Sequence, residues 1–407
     1  MNVQVQRVET PAELKLASQF AERKDALVGA DTLGAGRAAA FARFEAAGLP
    51  HRRVEEFRYT DMRARLREVA DAGETQVTLP DAQGGVRVTS LAEALASDGA
   101  AIAERIAERF TGFDSPLLDL NEAFASAGAV IDIAAGANVA EPVRAGFAHP
   151  AGKRGDSVAL YSVGSGASVT LIEKAGSADG GAQGGHVSHV DVADGAKVTF
   201  IRHVDAGAQG VHSGGLAVTV GANATFDLLL VVSTGELVRT DIGLRFVGGD
   251  AVANLRGLHL AGSTRHVDTT LFVDHAEPGC VSRELFKSVL DDRARSVFQG
   301  KILVRQKAQK TDGKMMAQAL MLSDDAEADS KPELEIYADD VQCGHGSTTG
   351  RVDDTLLFYL MARGIPKREA TRMLVSAFAG EVFDDLDEAV AEEFSAVAEE
   401  WLERHLA

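Results

Sequence analysis

The sequence predicts a mainly β chain, a β-solenoid set between an N-terminal and a C-terminal helical region. Two observations predict it. From about residue 127 to 337 helical periodicity fades and short alternating apolar segments appear, punctuated by glycine. Through that stretch a loose tag recurs: GANVA at 136–140, GASVT at 166–170, GAKVT at 195–199, GANAT at 221–225 and GDAVA at 249–253, with starts 30, 29, 26 and 28 residues apart. One coil cannot bury its inner face alone, whereas stacked coils share a core, so a turn glycine and short strand returning at this period read as a parallel β-helix. A β-sandwich would also alternate, but it has no reason to repeat a tag.

The elements divide the chain into a helical or mixed region (1–125), the β-helix core (126–340) and a C-terminal helical region (341–407). In TPAELKLASQFAERKDAL, Thr10 is placed to cap a helix, with Pro11 at its first position and Glu13 completing a capping box. A second helix, GRAAAFARFEAAG (36–48), stops on Gly48 before Pro50. A third, SLAEALASDGAAIAERIAERF (90–110), is interrupted near Gly99. After Gly350, DDTLLFYLMARG (353–364) has an acidic start, a late Arg and a terminal Gly, in agreement with the helix dipole. PKREATRMLVSAFAGEVF places Ala370, Leu374, Ala377, Phe378 and Val382 on one stripe, and the last helix stripes Leu386, Val390, Phe394, Val397, Trp401 and Leu402. Ten acids and one Arg lie between Glu381 and Arg404, a solvated face or a docking face for a basic partner.

Composition narrows the function. A net charge of −19 argues against wrapping nucleic acid or lying on anionic lipid. Two cysteines 63 residues apart form no disulfide framework, and MNVQVQRVETPAELKLASQFAERKD has no apolar signal core, so a reducing, cytoplasmic location is expected. The apolar run FDLLLVV (226–232) is far too short to span a bilayer. No G-x-x-x-x-G-K-[ST], C-x-x-C, H-E-x-x-H or G-x-S-x-G occurs, and GSGASV (164–169) lacks a third glycine, so no nucleotide site of its own is expected. His186 and His189 fall on opposite faces of a strand and, with His203 and His212, read as polar exposure on a solenoid flank rather than a metal cluster. Met315, Met316 and Met321 read as core, and Cys280 as a buried structural thiol. HRRVEEFRYTDMR (51–63) is dense in charge yet carries Phe57 and Tyr59 as anchors; it reads as a surface junction, with a recognition role left open.

The chemistry concentrates in CGHGSTTGRVDDTLLFYLMARGI (343–365). On a strand, Cys343 and His345 point the same way with Gly344 between them. A neighbouring imidazole can lower a thiol's pKa and free a thiolate, a nucleophile and soft metal ligand. The competing reading is a tight turn in which a small Cys and a His happen to meet.

RRVEEFRYTDMR, CVSRELFKSVLDDRARSVFQGKILV and PELEIYADDVQCGHGSTTGRVDDTLLFYLMARGIPKREATRMLVSAFAGEVF together resemble the SufB/SufD family of iron–sulfur cluster assembly proteins. The resemblance covers the N-terminal helical stretch and nearly everything after Cys280; the middle repeats match in texture only. The SufD-like branch fits better, because Cys-x-His-Gly stands where SufB-like chains have Gly-His-Glu. Phe57 replaces the usual Trp, and MMAQALMLS (315–323) departs from the family's polar version.

The resemblance implies a right-handed parallel β-helix and a complex with a SufB-like paralogue and a SufC-like ABC-type ATPase. It implies a scaffold that is not itself an enzyme, with ATP hydrolysis in the partner and no role for nucleic acid or membrane. The implied cargo is a transient iron–sulfur cluster at the partner interface, with Cys343 and His345 as its ligands. Leu356, Phe358, Tyr359, Arg363, Met373 and Phe378 are the implied partner-binding residues. Flavin binding, cluster type, a homodimer of the chain alone and the role of Cys280 stay open. Two other readings compete: a stand-alone metal-binding scaffold, and a β-helix enzyme acting on acidic polysaccharides, which five Asn and the absence of an export signal disfavour.

Overall fold

The computed structural model describes residues 8–81, 83–108, 114–177 and 181–405. Five helices come first: α1 (Pro11–Arg23), α2 (Ala30–Ala47), α3 (Met62–Arg65), α4 (Leu91–Ala107) and α5 (Pro116–Phe124), with β1 (Gln76–Thr78) and β2 (Val86–Ser90) ahead of α4. Thr10 caps α1 in a full capping box, and Gly48 ends α2 at φ +73°. α4 breaks at Asp98, whose backbone leaves the helical region, and residues 109–110 of that predicted helix lie outside the described residues.

Sixteen strands then form eight coils, each giving one strand to either of two sheets. The first four coils are β3 (Ala127–Ile133) with β4 (Val143–Ala148), β5 (Arg154–Val163) with β6 (Ser168–Gly176), β7 (Gln183–Val192) with β8 (Lys197–Asp205), and β9 (Val211–Val220) with β10 (Thr225–Thr234). The next four are β11 (Leu237–Phe246) with β12 (Val252–Ala261), β13 (His266–His275) with β14 (Val281–Leu290), β15 (Arg295–Val304) with β16 (Asp312–Met321), and β17 (Glu327–Ile336) with β18 (Gln342–Gly350). Pairing between coils is parallel throughout, whereas β1 and β2 pair antiparallel with β4 and β3 and close the N-terminal end. At the opposite end no strand among the described residues gives such cover: β17 and β18 are edge strands. The last strand, β18, lies wholly beyond the boundary drawn at residue 340, so Cys343 and His345 belong to the solenoid.

The turns explain the repeat and correct its register. One corner is a ladder of left-handed residues: Gly136, Gly166, Gly195, Asn223, Asp250, Gly279 and Lys310, all at φ between +53° and +75°. Each donates its N–H to a carbonyl of the next coil, as Gly195 does to Ala222 (2.8 Å) and Asn223 to Gly249 (3.0 Å). The true spacings are 30, 29, 28, 27, 29 and 31 residues. The tags at Gly221 and Gly249 are therefore slipped by two residues and one, because Asn and Asp tolerate the left-handed region and stand there for glycine.

Alternate strand residues fill the lumen with one continuous apolar core that includes Phe200, Phe226, Leu255, Phe286 and Val304. The outward residues bury against helices. α5 packs across β5, β7 and β9 of one sheet, and α7 (Lys367–Gly380) and α8 (Glu388–His405) cover the other. Beneath α7 and α8 lie Ile172, Ile201, Leu229, Val231, Leu258, Leu260 and Val289, meeting Phe394, Trp401 and Leu402. The α8 stripe is as read, with Ala398 fully buried in addition. On α7 the buried residues are Ala370, Val375 and Ala379, followed by Val382 just past its end, whereas Leu374 is half-buried and Ala377 exposed. The helix has two apolar faces about 100° apart, and the one able to meet sheet and α8 is the one buried. No helix of the described residues is long and apolar enough to cross a membrane.

Candidate functional site at the open end of the solenoid

β18 pairs with β16 alone, with Cys343 beside Gly313 and His345 beside Met315. One strand further in, Gly313 lies beside Ser282 and Met315 beside Glu284. Met315 is buried in the luminal core, so by pleat alternation Cys343 and His345 share the luminal face at its open end. Cys343 is half-buried against the core, and His345 is exposed.

The thiol is not activated in the isolated chain. Burial pushes the Cys343 thiol above its ordinary value; a hydrogen bond from the Gly313 backbone opposes this, and the charges of Asp312 and Glu284 add to the rise. The side-chain charges that bear on this sulfur are those of two acids, Asp312 and Glu284. A metal ion held at this edge would favour the thiolate form.

Sequence reading missed Glu284. It occupies an inward position of β14 between Ser282 and Phe286, is 2% exposed, and among the described residues has no well-formed hydrogen bond to either carboxylate oxygen, the Ser282 hydroxyl being its nearest polar support. Burial pushes it up to about 8, with Ser282 and Arg283 only partly opposing. The available signal was parity: a glutamate in register with apolar residues of an alternating strand. A groove of about 740 Å3 passes this region, lined by Glu284, Met316, Cys343, Gly344 and His345 and by Asp384 from the C-terminal segment. Met316 is 37% exposed on the outer face, so of the three methionines read as core only Met315 is fully buried. Among the described residues no three His, Cys, Asp or Glu side chains converge closely enough to hold a metal ion.

Other predicted positions lie elsewhere. Leu356, Phe358, Tyr359 and Arg363 lie on or just after α6 (Asp354–Met361), which buries none of its residues; Phe358 is 72% exposed. Met373 is exposed on α7, while Phe378 is half-buried with the Lys287 Nζ 4.4 Å from its ring centroid. Cys280 is wholly buried in the luminal core, its thiol donating to the Gly248 carbonyl at 3.4 Å.

The histidines read as exposed are corrected: His186, His203 and His212 are buried, and His189 is half-buried. The lumen there contains an ionic network in which Glu173 accepts from Arg202 (2.7 Å), Ser188 (2.6 Å) and Tyr161 (2.9 Å), with His186 3.1 Å away. Burial lowers all three buried imidazoles, His203 to about 4, so they are neutral packing groups.

A thiol and an imidazole thus stand together on the open edge of a two-sheet parallel solenoid. Residues 157–378 match the SUF system FeS cluster assembly SufBD core domain, and residues 11–69 match the SufBD protein N-terminal region. The chain is 32% identical over 355 residues to an iron-sulfur cluster assembly SufBD family protein of Mycobacterium bovis, covering 82% of this chain and 84% of that protein. It is 34% identical over 239 residues to the iron-sulfur cluster assembly protein SufD of Escherichia coli, covering 51% of this chain and 56% of that protein. The SufD of Bacillus subtilis is 40% identical over 112 residues, 27% of this chain and 26% of that protein. The chain belongs to the SufB/SufD family of iron–sulfur cluster assembly proteins.

Proposed function

We propose that the chain is a SufD-like, non-catalytic scaffold subunit that builds and transfers nascent iron–sulfur clusters in the cytoplasm. It works with a SufB-like paralogue at the open end of the solenoid and a SufC-like ABC-type ATPase on α6 and α7. The observation that carries this reading is the position of Cys343 and His345 on the luminal face of an edge strand that is paired on one side, with β16. An iron–sulfur cluster takes about four protein ligands, so two on an edge are half a site, and the rest come from the partner that covers it. Neutral imidazole and thiolate both suit iron.

The absence of a phosphate-binding loop motif leaves nucleotide chemistry to the ATPase. Its seat is the face of Leu356, Phe358, Tyr359 and Met361, 42–72% exposed. Arg363 lies over the Tyr359 ring, 3.4 Å from its centroid, and Met373 extends the face. Phe378 serves from within by seating α7. A stand-alone metal scaffold is disfavoured by the two-ligand edge, and a polysaccharide-cutting groove by the helices packed on both sheets.

The test is anaerobic co-purification with paralogue and ATPase, comparing subunit stoichiometry, iron and sulfide in wild type, His345→Ala and Cys343→Ser. Stoichiometry should hold while iron and sulfide fall in His345→Ala, with an equal or smaller fall in Cys343→Ser. Full cluster content in His345→Ala ends the ligand role; loss of the complex makes His345 an interface-packing residue. Docking is tested by Phe358→Ala with Tyr359→Ala. Deleting 351–407 is the wrong instrument, because it uncovers the apolar outer face of a sheet.

A further inference from the structure

Residues 51–68, HRRVEEFRYTDMRARLRE, differ in charge from the rest of the chain. They contain six arginines, four acids and no lysine, a net +2 that leaves −21 on the remainder. The segment is a closed loop followed by α3, its ends tied where the Met62 N–H donates to the Pro50 carbonyl at 2.9 Å. It is also pinned to the solenoid. Phe57 is 2% exposed beneath the Arg239 guanidinium, 3.9 Å from the ring centroid. The Glu56 carbonyl accepts from Arg239 (3.0 Å) and Gln299 (2.9 Å), and the Thr60 hydroxyl bonds His266 (2.8 Å) and Asp268.

On this fixed platform Arg52, Arg53, Arg58, Arg65 and Arg67 are exposed, and among the described residues none forms an ion pair. Arg65 meets a ring nitrogen of His266 (3.2 Å) and Arg67 the Ala64 carbonyl (3.1 Å); only Arg63 turns to an acid, Glu13, at 3.7 Å. Two of the loop's own acids are engaged elsewhere, Glu55 by Lys331 (2.5 Å) and Asp61 in capping α3 through the Ala64 N–H (3.2 Å). A chain with 60 acids and 41 bases had carboxylates to spare for these guanidinium groups.

We propose that this face docks an acidic protein segment, rich in Asp and Glu. Guanidinium forks bind carboxylates two oxygens at a time, which lysine cannot do, and a rigid loop loses little entropy on binding. Exposed Val54 and half-buried Tyr59 add the apolar contact that protein interfaces use. A nucleic acid would meet the same arginines against the repulsion of the acidic remainder.

The test uses fluorescein-labelled poly-L-glutamate as probe, with single-stranded and duplex DNA as competitors, at low and physiological salt. Neutralising Arg52, Arg53 and Arg58 together (each Arg→Gln) should weaken poly-L-glutamate by about tenfold or more without moving the melting temperature. The matching Arg→Lys variant should fall between. A control triple with the same charge change elsewhere (Arg87→Gln, Arg144→Gln, Arg404→Gln) should retain wild-type affinity. Equal losses in both Gln triples would reduce the effect to net charge and overturn the proposal, as would tighter binding of DNA than of poly-L-glutamate. The single Arg58→Gln variant carries the same prediction at smaller size and leaves the fold beyond question.

Discussion

Lys287 reaches from the outer face of β14 to the last turn of α7, where its Nζ donates to the Phe378 carbonyl at 2.9 Å and pairs with Glu381. The side chain is 2% exposed, so a buried ammonium from the sheet caps the C-terminus of α7. Lys287→Met should cost about 1.5–3 kcal/mol, the range for hydrogen bonds to charged groups. Hydrogen exchange should speed up across α7 and α8 and stay unchanged in α1 to α5. Uniform acceleration over the whole chain would show that the clamp is not local.

Gly195 and Gly221 should respond differently to substitution. Gly195 sits at φ +68°, and an added Cβ would meet only the Gly166 nitrogen at an unstrained 4.0 Å, so the backbone alone demands glycine. Gly195→Val should cost about 1–2 kcal/mol, whereas Gly195→Asn should be close to neutral, since Asn223 holds the left-handed position on the next rung. Gly221 has no left-handed φ, but an added Cβ would lie 2.6 Å from the Asp194 carboxylate and 2.8 Å from its backbone nitrogen. Gly221→Ala and Gly221→Asn should both destabilise, since neither removes the clash. Urea melts of the four variants decide it.

Glu284 should give the protein an unusual alkaline weakness. Its folded value near 8 stands above the ordinary 4.5, so between those values the folded state binds the extra proton and stability falls as pH rises. The limiting slope is about 1.4 kcal/mol per pH unit. Glu284→Gln should abolish that slope and melt higher than wild type at pH 8. Parallel stability curves for the two proteins from pH 5 to 8 would contradict the buried carboxyl.

On the acid side the sign reverses. Burial lowers His149 and His266 to about 3 and His203, His259 and His275 to about 4, all from an ordinary 6.5. Between about 4 and 6.5 the unfolded chain binds protons that the folded chain refuses, so stability is lost as pH falls below 6.5. His259→Gln should flatten this limb, provided the amide keeps the bonds that His259 makes to Thr269 (2.9 Å) and Ser296 (3.0 Å).

Cys343 should alkylate slowly, with a midpoint above that of a free thiol, and Cys280 should stay silent until the chain unfolds. Glu284→Gln should bring the Cys343 midpoint down by removing one of the two charges that raise it. Mass spectrometry after timed iodoacetamide exposure reads both sites at once.

The helices were legible because their signals are local. Thr10, Pro11 and Glu13 specify a start within four residues, and the α8 stripe repeats within one helix. The shared face of Cys343 and His345 follows from strand period alone. Glu284, by contrast, lies about sixty residues from Cys343 in the chain and lines the same groove only because β14, β16 and β18 stack in register. The buried histidines were misread for the same reason: alternation separates the two faces of a strand but does not say which face is the lumen.

By itself, then, the sequence determined the class of architecture, the helix caps, the strand that carries Cys343 and His345 and the family resemblance, all of which rest on interactions within one turn, one strand or one motif. Only the tertiary structure decided the turn register at Asn223 and Asp250, the face that α7 buries, the raised thiol of Cys343 and the fixed arginine loop over Phe57. Those features arise where coils stack or helices dock, and their energies belong to pairs of residues far apart in the chain. Burial and long-range register set them, and neither is a property of any local run of residues.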